Sequence, residues 1–423
     1  MEPEDLKGYL KMNSRERVRM AINHQEPDRV PVDIGGTFVT GVHVDEYIKI
    51  AQHVGLDCEL PKVYEQMLML ARPDFLMLNY FGADVIQLEN EIYSFGMKNK
   101  DWQIWQTNRG NRVLMPGSFK TDIAPDGEIH IVNADGKVLA KMAPTGDYFD
   151  RPNYGVGMKL DFEIVHVDID KFQKTLPIYN DEELLSLEKR AEFLFKNTEL
   201  SLHGSFHRGK LGSSAGVAGH SFEEWMLIMK LEPDYAYELM HATAEVGLEN
   251  LKVYLQAVGK YIDTILISTS DYGTQRAEMF SPEIYKKVHL KNYKMMNDYV
   301  HQNSDIKTFY HSCGCVRGFI PYFIEAGVDI LNPVQTTAEK MTPVELKAEF
   351  GSKLTFWGGG IDTQVTLPTG TPEQVKAKVK ESIETFKPGG GFVFTPIHNM
   401  QPDIPIENAL AMLEAVKEFG VYQ

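Results

Sequence analysis

The sequence predicts an α/β fold: a (β/α)₈ TIM barrel with an N-terminal helical extension and a small β insertion. Three observations carry the prediction. Short β-branched or aromatic runs recur eight times along the 423 residues, each followed by a break and a helix-period segment. The runs are near-continuously apolar, as strands buried on both faces are. The segments between them open with helix-start signatures rather than hairpin turns. Strands and helices in this alternation read as a barrel, with an open doubly wound sheet as the runner-up.

The eight runs lie at 29–34, 83–88, 199–204, 263–268, 306–311, 328–333, 353–358 and 391–396. Helix starts fall between them. Ser221 with Glu224 three residues on has the form of a capping box. Pro282, Pro343 and Pro372 each follow a Ser or Thr and suit a first helical turn. Ile404-Pro405 opens a last helix running through Val416. One stretch breaks the alternation. Asp-Gly pairs at 126–127 and 135–136, flanked by Glu128–Asn133 and Lys137–Met142, have the form of antiparallel hairpins. Residues 1–423 are therefore read as a single barrel domain, with 100–150 as a β-hairpin insertion over one end. That insertion is a surface excursion, a lid or a partner-docking element.

Composition excludes several classes. The net charge of −16, with no Lys/Arg block, would be repelled by phosphate backbones, so nucleic-acid binding is not expected. The charged N-terminus has no apolar stretch of signal-peptide type, and no run is long enough for a membrane span. Three cysteines cannot form a disulfide framework. Cys313 and Cys315, flanking Gly314, suit a metal or redox role in a reducing cytoplasm better.

Barrel active sites gather at the C-terminal strand ends. The residues following the predicted strands are then Gly35 to Thr37; Glu89, Asn90 and Glu91; Ser205, Phe206, His207 and Arg208; Asp271 and Tyr272; His311-Ser-Cys313-Gly-Cys315; Asn332 and Gln335; Gly358 to Gly360 with Asp362; and His398-Asn399. The pair His311-x-Cys313 is the strongest feature. Residues two apart in a strand share a side, so imidazole and thiolate can meet one ion, and mixed N and S donors in a reducing compartment suit zinc. A bare pair of this kind more often fills space in a core; its place at a barrel mouth favours a metal. A catalytic zinc takes a third protein ligand and leaves a position open. His398 and Cys315 are both candidates, with His398 favoured because it ends a strand. The glycines at 358–360 read as a tight turn ahead of a phosphate cradle.

With these residues in view, the chain resembles the uroporphyrinogen decarboxylase superfamily, within it the corrinoid-dependent zinc methyltransferases. The resemblance covers nearly the whole barrel. It rests on Arg15 through Pro31, His311-Ser-Cys-Gly314, Glu325-Ala-Gly-Val-Asp-Ile-Leu-Asn332 and Pro405-Ile-Glu-Asn-Ala-Leu-Ala-Met412. That branch holds zinc through His-x-Cys and a later Cys seven residues before the Pro opening the last helix. Here that position is His398. The resemblance thus implies Zn²⁺ on His311, Cys313 and His398, with imidazole in place of a thiolate.

Two departures narrow the expected activity. The decarboxylases carry arginines after the first strand for the porphyrinogen carboxylates, whereas residues 33–40 hold none. The coenzyme M methylases have a Glu where this chain has Val334 and Gln335. One thiolate and two neutral imidazoles leave zinc more positive than two thiolates do, which favours a developing oxyanion over an acceptor thiolate. The implied function is methyl transfer from a small methyl donor, a methyl ether, to the cobalt of a corrinoid (cobalamin) on a separate corrinoid-binding protein. Asp271, Tyr272 and Gln335 are the expected catalytic residues; His207, Arg208, Asn332 and Asp362 the expected substrate contacts. The alternatives are a zinc-dependent lyase or decarboxylase of a smaller acid, and a non-catalytic corrinoid-binding partner. A homodimer is compatible with any of them.

Overall fold

The computed structural model of the chain describes residues 12–152, 163–209, 211–212 and 216–422. Seven parallel strands run side by side in the order Phe392–Val393, Thr355–Trp357, Ile330–Asn332, Lys307–His311, Thr264–Thr269, Ser201–Gly204 and Val85–Leu88. Residues 31–34 close the ring. The Asp33 N–H donates to the Phe394 carbonyl at 2.9 Å and the Phe394 N–H to the Pro31 carbonyl at 2.8 Å; on the other flank the Asp84 N–H donates to the Val32 carbonyl at 2.7 Å. All eight expected runs are therefore staves of one closed barrel, most of them shorter than their apolar stretches, down to the two residues Phe392–Val393 within 391–396.

Lateral register decides what faces inward. Leu266 pairs with Phe309 and Phe309 with Ile330, and these three share the barrel interior with Val85, Trp357 and Val393. Two residues on, where strand side chains return to the same face, His311 lies level with Asn332. The period of two thus lifts a packed apolar layer into a polar one at the C-terminal mouth.

The other mouth is plugged by the helix Ser14–Ile22, which Asn13 and Glu16 start with a capping box. Val18 and Ile22 join the interior cluster. Asp84, fully buried, is held by Arg17, Arg29, the Ser14 hydroxyl and the Val32 N–H. A buried carboxylate needs such a set of donors.

The helix starts read from the sequence are present. Ser221 and Glu224 form a capping box on Phe222–Leu231, and Pro282, Pro343 and Pro372 each open a helix. The last helix, Ile406–Phe419, begins at the expected proline and runs three residues past Val416. Among the described residues, no helix is long and apolar enough to cross a membrane.

The irregular stretch holds a hairpin, Gln103–Gln106 with Arg112–Met115, and a three-stranded meander, Thr121–Ile123, Ile129–Val132 and Val138–Met142. Gly127 and Gly136 take positive φ in its two turns. It is anchored on the helix Val44–His53, where Asp45 Oδ1 accepts from Thr107 and Asn111, each at 2.7 Å. Its end reaches the C-terminal mouth: the Phe149 N–H donates to the Met67 carbonyl at 2.8 Å, and Met67 and Arg151 line the cavity there.

Candidate metal centre

Two consecutive strand–loop units build the centre. The strand Lys307–His311 delivers His311 and Cys313; the loop after Thr264–Thr269 delivers Asp271. Their donor atoms all lie within 4.8 Å of one another. Cys313 Sγ is 3.6 Å from His311 Nε2, and Asp271 Oδ1 is 3.7 Å from that nitrogen.

Backbone contacts lock the two loops together. The Cys313 N–H donates to Asp271 Oδ1 at 2.8 Å, the Tyr272 N–H to the Ser312 hydroxyl at 3.0 Å, and the Cys315 N–H to the Thr274 carbonyl at 2.7 Å. The approach is close enough to require glycine on both sides. A Cβ on Gly314, whose φ is +87°, would stand 2.3 Å from the carbonyl carbon of Gly273, and one on Gly273 would stand 2.6 Å from the Cys315 nitrogen. Gln335 Oε1 completes the clamp by accepting from the Gly314 N–H at 2.7 Å.

The tautomer of His311 follows from its neighbours. Asn332 Nδ2 donates to the Trp357 carbonyl at 2.8 Å, so the amide oxygen faces His311, 2.6 Å from Nδ1. His311 Nδ1 must then carry the proton, leaving the Nε2 lone pair directed at Cys313 and Asp271. This is the orientation that a ligating histidine takes from its outer partner. The chain of bonds continues from Trp357, whose Nε1 donates to Asp33 Oδ2 at 2.7 Å.

Electrostatics point the same way. Burial, then the Asp271 carboxylate, push the Cys313 thiol well above its usual range. A buried thiol facing a carboxylate is mismatched unless a cation stands between them, and a cation reverses the shift. One carboxylate, one imidazole and one thiol, opening on a cavity, suit a catalytic zinc.

The structure distributes the expected residues unevenly. His398 lines the same cavity, of about 620 Å³, as Asp271, His311 and His207. It lies outside the three-atom cluster, with its side chain exposed to the cavity. Cys315 is fully buried and turned away from the cavity. Asn332 and Gln335 hold the ligands' ring and loop rather than facing the cavity.

Beyond Asn332 and Gln335, further expectations need correction. Tyr272 was expected at the chemistry, but it is fully buried behind the strand, its hydroxyl 3.0 Å from that of Tyr293. Its neighbours are the rings of Phe280, Tyr285 and Phe319, which draw an aromatic side chain into the core. Arg208 was expected on the substrate; its guanidinium pairs with Glu183 and lies over the Tyr179 ring. Asp362 was another expected contact; its Oδ1 instead accepts from the Val365 and Thr366 N–H groups and fixes a turn. The glycines at 358–360 were expected to form a tight turn; instead the Gly358 and Gly360 N–H groups donate to the Val393 and Thr395 carbonyls and carry the strand pairing onward, and the turn comes later, at 363–365.

Sequence reading missed Gln87, Trp357 and Asp33, which sit within or beside predicted strands. Inward parity relative to Val85 would have flagged Gln87.

Comparison with known proteins adds three findings. Residues 214–419 match the family model described as uroporphyrinogen decarboxylase (URO-D). A uroporphyrinogen decarboxylase from Pseudoalteromonas translucida (strain TAC 125) is 33% identical over 76 residues, 18% of this chain and 21% of that protein. The chain thus matches about a fifth of that relative's length. A solved methyltransferase from Methanosarcina mazei superposes with a TM-score of 0.55 at 17% identity, covering 97% of this chain and 99% of that one. The last likeness extends the shared fold over almost the whole molecule.

Proposed function

Starting from the uroporphyrinogen decarboxylase signature that residues 214–419 carry, we propose that this chain is a zinc-dependent methyltransferase moving a methyl group from a methyl ether to the cobalt of a corrinoid on a separate protein. The observation that supports this most is the Asp271, His311 and Cys313 cluster, open to a cavity at the barrel's C-terminal mouth. The methyltransferase relation of the structural neighbour agrees with it. Arg151 is the one arginine on the described cavity lining, which suits an uncharged donor better than a polycarboxylate.

His311 and Cys313 would hold the ion, with Asp271 or His398 as the third donor. Zinc would supply Lewis acidity toward the leaving oxygen, and a set with one thiolate leaves it more electrophilic than a set with two. The chain's own part is positional. Asn332 keeps the His311 lone pair aimed, and the clamp of Gln335 on Gly314 keeps Cys313 in place. The cavity walls hold the ether with its methyl group toward the mouth, where a partner's corrinoid has access. Transfer breaks the O–CH₃ bond; the electron pair for the new bond comes from cobalt(I), and the oxygen leaves as an alkoxide or phenolate that takes a proton from water.

The test is direct. Zinc-loaded protein is mixed with cob(I)alamin and an aryl methyl ether, and loss of the cobalt(I) absorbance is followed. The expected result is methyl transfer that disappears on chelation and returns with zinc. Turnover of a small carboxylic acid without any corrinoid would overturn the reading.

A further inference from the structure

Beside the metal cavity, where a neighbouring cavity meets it at Asn90, two amide side chains have fixed orientations and one atom each without a hydrogen bond. Asn90 and Gln87 are each 3% exposed. Asn90 Nδ2 donates to the Ser205 carbonyl at 2.7 Å, so its Oδ1 is the free atom. Gln87 is set by a relay. The Asn90 N–H donates to the Tyr93 hydroxyl at 3.3 Å, and that hydroxyl passes its proton on to Gln87 Oε1, also at 3.3 Å. Gln87 Nε2 is therefore the atom left over; it makes no hydrogen bond, and the Tyr64 hydroxyl beside this side chain is unbonded as well. The two free atoms do not satisfy each other.

Both side chains belong to the mouth. Gln87 is two residues beyond Val85, which faces the barrel interior. Tyr93, Ser205 and Asn90 line the metal cavity, and Asn90 is also on the wall of a neighbouring cavity of about 590 Å³ that Gln87 lines. In the sheet, two strands, Ser201–Gly204 and Thr264–Thr269, stand between the strand of Gln87 and that of His311. A ligand reaching both sites must extend across the mouth.

Buried polar atoms left unpaired are rare, and in a cavity they mark what a ligand supplies. We propose that Gln87 and Asn90 are specificity residues where the two cavities meet at Asn90, and receive an uncharged head group, a hydroxyl or an amide, at the substrate end remote from the metal. This deepens the methyl-ether reading and rests on it. The head group must accept from Gln87 Nε2 and donate to Asn90 Oδ1 together. A second ether accepts without donating. A quaternary ammonium does neither. A carboxylate would meet the Asn90 carbonyl oxygen and the Glu65 carboxylate, which is 4% exposed and on the same wall. Hydroxyls and amides meet both demands.

The experiment is calorimetric titration of the zinc-loaded chain, without corrinoid, using the three methoxyphenol isomers, the matching dimethoxybenzenes and the methoxybenzoates. At least one methoxyphenol should bind about tenfold or more tightly than its dimethoxybenzene, because a site built around a hydroxyl rejects the analogue lacking it. The methoxybenzoates should bind more weakly still. Gln87→Met and Asn90→Leu should each bring that ratio towards one while zinc content stays unchanged; Gln87→Met, close in shape, guards against misfolding of the other. Equal binding of phenol and dimethoxybenzene, or an unaltered ratio in both variants, overturns the head-group assignment and leaves the methyl-ether reading standing. No binding of any ether by zinc-loaded protein overturns both.

Discussion

His311 and Asn332 stand level on neighbouring strands, and the 2.6 Å contact between Nδ1 and Oδ1 decides which face of the imidazole is basic. Asn332 is itself held by the Trp357 carbonyl, so the arrangement is set before any ion arrives. Removing the amide should loosen the ring without removing a ligand. Asn332→Ala is expected to bind zinc about 10–100-fold more weakly while staying folded. Competition against a calibrated chelator measures this, and unchanged affinity would refute the orienting role.

The ligand set can be resolved by single substitutions read for bound zinc. His311→Ala and Cys313→Ala should each lose the metal while circular dichroism stays native, because barrel stability rests on packed strand layers rather than on mouth residues. Cys315→Ser should keep it. Asp271→Asn should reduce affinity more than His398→Ala, since the Asp271 carboxylate is inside the three-atom cluster. The reverse order would make His398 the third ligand.

Gly314→Ala should damage the centre without touching a donor. Its added Cβ meets the Gly273 backbone, and φ of +87° is itself unfavourable for alanine. One or the other loop must withdraw, so zinc affinity should fall by at least about tenfold, or about 1.4 kcal/mol. Full metal content with native affinity would show that the two loops are not keyed to each other.

Asp33 gives a pH signature. Burial pushes its carboxyl up to about 7, against the opposing hydrogen bonds from Trp357, Thr40 and Gly36. A folded value above the unfolded one means that its contribution is complete at acid pH and is lost as pH rises from about 4 through 7. Wild-type stability should therefore carry a downward component over that window, of order 4 kcal/mol in full. Asp33→Asn also disturbs a hydrogen bond, so the informative quantity is the slope. The denaturation midpoint of the variant should fall less between pH 4 and 7 than that of wild type. Parallel curves would sink the assignment.

The barrel and its mouth were legible in the sequence because they obey local periods. Apolar runs marked every strand, and residues two apart at one strand end put His311 beside Cys313. Asp271 was on the page as a strand-end residue, but its contact with Cys313 depends on how two loops fold over a pair of glycines, which no period records. Tyr272 shows the converse limit. It follows a strand as a site residue would, yet an aromatic cluster outcompetes the cavity for its ring. Arg208 and Asp362 likewise found partners nearby, Glu183 for one and turn amides for the other. Gln87 was hidden for a different reason: a polar residue inside an apolar run looks like noise until the parity of its strand is known.

The closing stave has a consequence for how the chain comes to be folded. Asp33 meets Trp357 across 324 positions, and residues 31–34 find their second neighbour only in the strand at 392–393. Until synthesis passes that point, the nascent sheet presents two unpaired edges, an invitation to neighbouring chains. The Asp84 carboxylate, with Arg17, Arg29 and the Val32 N–H already around it, can seat the first stave against the second early. One edge then waits, held in register, for the last turn of the ribosome's work.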